Sequence, residues 1–252
     1  MGDEPGRLDL ALVSRGLAST RSRARDLILR GLVSVDGTSA TKPALQVCGT
    51  GNIVVAGGEQ GLVSRGAVKL RAALAAFGFD PAGRTALDVG ASTGGFTQVL
   101  LEHGAAKVYA ADVGHGQLHP SLQSDLRVVS LEGTDARILT RELVPGPIGA
   151  IVADLSFISV RKALAPALAL AEPGCWLVVL VKPQFEAGRA HVGKNGIVRD
   201  APARQAAVTA VSEWLRDDQG WGVLPAELSP IAGGSGNVEF LLGATLPGAT
   251  RG

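Results

Sequence analysis

Apolar positions recur along this chain in two rhythms. From Thr85 onward, short unbroken apolar runs alternate with segments in which apolar residues return every three or four positions. Unbroken runs mark strands buried on both faces, and the wider spacing marks helices. The pattern predicts strands over 85–90, 107–112, 127–131, 150–155 and 175–182. It predicts a helix over 95–103 closed by Gly104, and another from an Asp200 cap to about residue 218, with Val208, Val211 and Leu215 on one face. Two more strands are expected near 223–228 and 238–242. Such alternation predicts an α/β fold built on a doubly wound, Rossmann-like parallel sheet. Ligands of these sheets sit beyond the carboxyl ends of the strands, so polar residues at strand ends carry most of the information about function.

The first 56 residues follow a different pattern. Leu8, Ala11 and Leu12 share a helical face that Gly16 can end. Ser19 or Thr20 can cap a second helix with Ala24, Leu27 and Ile28 turned inward. A strand over 32–35 then enters a tight Asp36-Gly37 turn. This small α+β module is expected to span residues 1–56, with a glycine-rich linker over 57–62 and the larger domain over 63–252.

Composition changes this picture only locally. Net charge over the 252 residues is +1, so the chain as a whole points to no charged partner. Residues 7–30, however, carry six arginines against two aspartates. Arg23 and Arg30 share one face of the second helix, and Arg21 and Arg25 share another. Crowded arginines on a compact module suit phosphate binding, and equally suit a solvated helical face. Cys48 and Cys175 lack metal-ligand spacing and read as two reduced, partly buried thiols, and His191 has no companion ligands; no metal is expected. Neither a secretory signal nor a spanning segment is evident, so a cytoplasmic location is expected, with no membrane and no obligate protein partner.

The candidate chemistry lies at the strand ends. The first strand of the large domain runs Asp88-Val-Gly90-Ala-Ser92-Thr-Gly94-Gly95-Phe96 into a helix. Ser92 stands where a dinucleotide site needs its middle glycine. The form acidic-x-Gly-x-(Gly/Ser)-x-Gly is that of S-adenosylmethionine methyltransferases. Asp112 lies 22 residues after Gly90, a spacing suited to ribose hydroxyls. Thr134 and Asp135 follow the next strand and are expected on the adenine side. The fourth strand ends in Asp154-Leu-Ser-Phe, without the prolines of base-amine methyltransferases, and the fifth ends in Lys182. A carboxylate at an adjacent strand end can hold the lysine or tune it.

Two resemblances follow. The stretch from Arg7-Leu8-Asp9 through Arg23 and Arg30 to Gly31–Gly37 resembles the S-four RNA-binding domain, which implies binding to structured RNA. Lys69, Asp154, Lys182 and Glu239 resemble the Lys-Asp-Lys-Glu tetrad of FtsJ-like ribose 2′-O-methyltransferases. "GASTGGFT", "ADLSFIS", "LVKPQFE" and "SGNVE" are together similar to the TlyA, or hemolysin A, family over nearly the full length. That likeness implies S-adenosyl-L-methionine as cofactor and ribose 2′-O-methylation, with cytidine expected, in ribosomal RNA of either subunit. Lys182 is the candidate at the 2′-oxygen, as base or as electrostatic stabiliser; Lys69 and Glu239 orient it and the ribose. Arg65, Arg189 and Lys194 are further expected RNA contacts, the latter two on a glycine-rich loop beside Lys182. The chain departs from better-known members at Gln60-Gly-Leu-Val63, where some have Arg-x-Trp-Val, and at Val68, where histidine is frequent. The alternatives are an RNA-binding factor with a silent methyltransferase domain, a base methyltransferase and a membrane-active protein.

Overall fold

The computed structural model describes residues 6–18, 20–29, 33–48, 51–55, 62–233 and 236–248. The chain divides into two compact units, Met1–Leu62 and Val63–Gly252. Ser19, Arg30, Gly31, Leu32 and most of the expected linker lie outside the described residues.

In the smaller unit, β1 (Gly6–Arg7) leads into α1 (Leu8–Ser14) and α2 (Arg21–Leu29), followed by β2 (Val33–Val35), β3 (Thr38–Ala40), β4 (Gln46–Val47) and β5 (Ile53–Val55). The antiparallel sheet runs β3-β2-β5, and β1 pairs with β4. Asp36 and Gly37 both have positive φ, 50° and 79°, as a two-residue hairpin turn requires. Leu8, Leu12, Ala24, Leu27 and Ile28 meet Val33 and Ile53 in one core. Asp9 is also fully buried there. Its carboxylate accepts from Arg7 on both oxygens and from Arg21 Nε, each at 3.0 Å. Arg7 first, and then Arg21, hold its pKa well below the ordinary carboxylate range against the opposing effect of burial. The Arg-Leu-Asp motif therefore has a structural cause: Asp9 ties α1 to the start of α2.

The larger unit opens with α3 (Gly66–Phe77), then β6 (Thr85–Val89), α4 (Gly95–Glu102), β7 (Lys107–Asp112), α5 (Pro120–Gln123), β8 (Val128–Glu132) and β9 (Ile148–Ala153). The short helices α6 (Val160–Ala163) and α7 (Ala165–Leu168) precede β10 (Ala171–Val181), α8 (Pro183–Glu186) and α9 (Ala201–Glu213). The strands β11 (Gly222–Val223), β12 (Glu227–Leu228) and β13 (Phe240–Thr245) complete it. The sheet order is β11-β13-β10-β9-β6-β7-β8, with β12 also on β13. The strands from β6 to β10 run parallel, as the apolar runs predict. β13 inserts antiparallel beside β10, which a purely parallel expectation misses.

The expected strand near 223–228 divides into β11 and β12, because Pro225 has no N–H for the ladder. α3 was not expected. Its Ala67, Leu70, Ala73 and Leu74 are buried, and Gly78 ends it at φ 66°. Asp200 caps α9 through Ala203 N at 3.2 Å; beyond Glu213 the helix widens to a π-helical turn over Trp214–Asp218. Cys48 is exposed and Cys175 is buried, both as free thiols. Burial pushes the Cys175 thiol up to about 12, so it stays protonated and inert.

Candidate active site

Strand order reverses between β6 and β9, and the glycine turn leaves β6 there. Gly90 has φ 85°, and a Cβ on it would stand 2.6 Å from the Asp154 carbonyl oxygen. Asp154 N in turn donates to Val89 O at 3.0 Å. Only glycine allows the turn and the end of β9 to approach this closely. Ser92 takes φ 49°, its N–H donates to Asp112 Oδ2 at 2.8 Å, and its hydroxyl meets Gln117 Oε1 at 3.2 Å. Gly114 N donates to the other Asp112 oxygen at 2.8 Å. Asp112 thus organises two loops while standing at the strand end where the cofactor reading put it.

Glu132, which the sequence reading missed, fixes the loop after β7. Its carboxylate accepts from the backbone N–H groups of Gly116, Gln117 and Leu118 at 2.7–3.0 Å, which lower its pKa. Gly94 caps α4 at φ 95° and packs against Leu118 and Leu122. Phe96 is buried in α4 beside Gly66. Thr134 N bonds Asp112 O at 2.9 Å. Asp135 caps a short 3-10 turn and pairs with Arg137 at 2.5 Å; that hydrogen bond brings its pKa down to about 2.

Asp88 lies beneath the turn, fully buried. Its Oδ2 accepts from Thr97 Oγ1 at 2.7 Å, and its Oδ1 has no hydrogen-bond partner. Burial is the dominant cause raising this carboxyl to about 7; Thr97 opposes the shift and Asp154 and Asp112 add to it. An orphaned carboxylate oxygen behind a glycine turn suits an ammonium group, and the α4 N-terminus suits a carboxylate. This acceptor and the N–H donors of the helix end fit the methionine half of S-adenosylmethionine.

The tetrad assembles as two ion pairs. Lys182 Nζ lies 2.5 Å from Asp154 Oδ1, outside aligned hydrogen-bond geometry, and donates to Ser156 Oγ at 2.8 Å. Lys69 Nζ, on α3, lies 2.6 Å from Glu239 Oε2. Register joins the pairs: Val181 of β10 faces Phe240 of β13, and Lys182 and Glu239 are the next residues outward. The side chain of Lys182 is 10% exposed, and those of Lys69 and Glu239 are 10% and 3% exposed. Lys182 therefore does not lift its head into water at the strand end. Such buried pairs add little stability, yet losing one partner strands a charge.

Two neighbours were not legible in the sequence. Asn237 is buried; its Oδ1 accepts from Val198 N at 3.0 Å and its Nδ2 donates to Gly196 O at 2.8 Å. It ties the loop carrying Arg189 and Lys194, both exposed, to the segment bearing Glu239. Phe157 is 92% exposed at φ 67°, with its ring centroid 5.5 Å from that of Phe185. Arg65, at the start of α3, donates to Ala232 O at 2.8 Å. In the smaller unit Arg21, Ser22, Arg25, Asp26 and Leu29 line a concavity along α2. Arg23 lies in α2 with its side chain outside the described set.

A sheet of this order, with a glycine turn at its switch point and polar residues on the flanking strand ends, defines the methyltransferase class of α/β folds. The FtsJ-like methyltransferase family matches residues 62–246, and the S4 domain matches residues 6–54. The chain belongs to the TlyA family, in which an S4 domain precedes an FtsJ-like methyltransferase domain. It is 50% identical over 237 residues to the 16S/23S rRNA (cytidine-2′-O)-methyltransferase TlyA of Mycobacterium tuberculosis, covering 94% of this chain and 88% of that one. It is 44% identical over 239 residues to Hemolysin A of Brachyspira hyodysenteriae, covering 93% and 98%. A solved structure from Streptococcus thermophilus that carries the name hemolysin superposes with a TM-score of 0.77 at 36% identity, covering 99% of this chain and 92% of that one. Among the described residues no helix is long and apolar enough to cross a membrane.

Proposed function

We propose that this protein transfers the methyl group of S-adenosyl-L-methionine to the ribose 2′-hydroxyl of a cytidine in ribosomal RNA. The observation that carries this reading is the pairing of Lys182 with Asp154 and of Lys69 with Glu239 at one end of the sheet, beside the glycine turn. The named activity of the relative from Mycobacterium tuberculosis supports the nucleoside and the RNA class.

The cofactor supplies a methyl group on a sulfonium centre. The residues of the chain do the rest. Asp88 and the α4 N-terminus receive its methionine half, and Asp112 receives its ribose. Of the three N–H groups of Lys182 one donates to Ser156, while Asp154 holds the ammonium by charge, which leaves N–H capacity for the 2′-oxygen. From that position a neutral Lys182 accepts the hydroxyl proton, and a charged Lys182 stabilises the alkoxide as it forms. The ion pair with Glu239 keeps Lys69 in place at the same end of the sheet. Phe157 offers an exposed flat ring in the loop after β9, three residues beyond Asp154, as a surface for the target base to stack on. The concavity along α2, with Arg7, Arg21, Arg23 and Arg30 around it in sequence, gives the smaller unit its RNA phosphate contacts, and Arg65, Arg189 and Lys194 add contacts near the site.

The test is to incubate the protein with ribosomal subunits and methyl-labelled cofactor, digest the RNA and locate the label. Label in an alkali-resistant dinucleotide supports the reading. Label on a base, or transfer to neither subunit, contradicts it.

A further inference from the structure

Two polar clamps hold the segment that follows β9. At one end Ser156 receives Lys182 Nζ. At the other, Glu186 of α8 accepts from Ser159 Oγ with one oxygen and from Val160 N with the other, both at 2.7 Å. Arg161 Nε stands 3.6 Å away, and the Glu186 side chain is 1% exposed. A carboxylate buried this deeply on a four-residue helix is costly unless its oxygens are used. Here all the partners named lie within residues 159–161, at the start of α6, where the loop after β9 ends.

Phe157 lies between the two clamps. An aromatic residue at φ 67° is held in the strained left-handed region, and a ring left 92% exposed recovers little of that by burial. Local preference alone would release the backbone and let the ring turn. The Phe185 ring, one residue before Glu186, is the near neighbour on the other loop. Lys182 directly precedes α8, and Phe185 N bonds back to Lys182 O at 2.9 Å. One short turn therefore carries the catalytic ammonium, the second ring and the carboxylate that grips the Phe157 loop.

We propose that Glu186 is a positioning residue for the target nucleotide. By fastening Ser159 and Val160 to α8, it sets the distance from the Phe157 ring to Lys182 Nζ. A nucleobase stacked on Phe157 is thereby held so that its own ribose oxygen meets the lysine. The inference rests on the 2′-O-methylation reading, and within it on Phe157 as the stacking surface.

The experiment measures single-turnover methyl transfer by the full-length protein against ribosomal-subunit concentration. The variants are Glu186→Ala, Glu186→Gln, Phe157→Ala and the Glu186→Ala/Phe157→Ala double. Glu186→Ala is expected to slow transfer on the order of tenfold to a hundredfold, with cofactor affinity within about twofold of wild type. Glu186→Gln keeps one acceptor and is expected to recover most of the rate. The double variant is expected to be no slower than Phe157→Ala, because the two act through one ring. If Glu186→Ala fails to fold, Ser159→Ala, alone and combined with Phe157→Ala, reads the same coupling through the bond it removes. A wild-type rate in Glu186→Ala, or in Ser159→Ala where that variant stands in for it, overturns the proposal, as do losses that multiply with Phe157→Ala. A wild-type rate for Phe157→Ala removes the stacking surface and the proposal with it. An absence of ribose methylation by the unmodified protein instead overturns the underlying reading.

Discussion

Asp88 shows what it costs the fold to bury a carboxyl with one oxygen unpartnered. Burial raises that carboxyl from 3.8 to about 7. Between these values the folded chain keeps the proton and the unfolded chain does not. The stability this group allows is therefore fully present below pH 3.8 and falls as pH rises towards about 7, by at most about 1.4 kcal/mol per pH unit, after which it levels. Asp125 and Asp135, lowered to about 2 by Arg127 and Arg137, act in the opposite sense and only at more acid pH. All three tryptophans, Trp176, Trp214 and Trp221, lie in the larger unit, so their fluorescence reports its unfolding alone. Urea unfolding followed this way is expected to show stability declining from pH 5 to 7 in the wild type and a flatter profile in Asp88→Asn. Parallel profiles would contradict the assignment. The acidic residue before the glycine turn was legible as part of a motif. Its orphaned oxygen was not, because that depends on what surrounds it in three dimensions.

The glycine turn works as an element because two backbones meet there. Gly90→Ala is expected to destabilise the larger unit by about 1–3 kcal/mol, from the left-handed φ and from pressure on the Asp154 carbonyl. It should also weaken cofactor binding, measured by calorimetry, since Asp154 N is anchored on the same strand end. An unchanged melting curve would show that the turn relaxes freely. Elements of this kind were legible where burial imposes an unbroken apolar run; β7 begins and ends where its pattern predicts. Strand direction was not legible, because an apolar run carries no polarity, and so the antiparallel placement of β13 emerges only from its register with β10. α3 escaped because Gly66 to Phe77 is rich in alanine, and a stripe of small residues gives a weak periodic signal. The partners of Glu186 and Asn237, 26 to 41 residues away in sequence, carry no local signal at all.

At the scale of the whole molecule, a small arginine-rich unit precedes a unit that carries the chemistry. Part of that arginine content is structural, since Arg7 and Arg21 hold Asp9. Arg23 and Arg30 together are the sharper probes of docking. Replacing both with alanine is expected to weaken RNA binding and to reduce the slope of log affinity against log salt by about one to two. Equal slopes would remove them from the interface. The tetrad was legible as a set, from four charges scattered from residue 69 to 239, and the Lys182–Asp154 pair from adjacent strand ends, whereas the Lys69–Glu239 pair emerges only from the fold. The central claim is that these side chains act on one ribose oxygen. It is tested most directly by single-turnover transfer to ribosomal subunits by Lys182→Ala, with RNA and cofactor affinities measured alongside. The account predicts a loss of at least about a hundredfold in rate with both affinities nearly unchanged; transfer near the wild-type rate would contradict it.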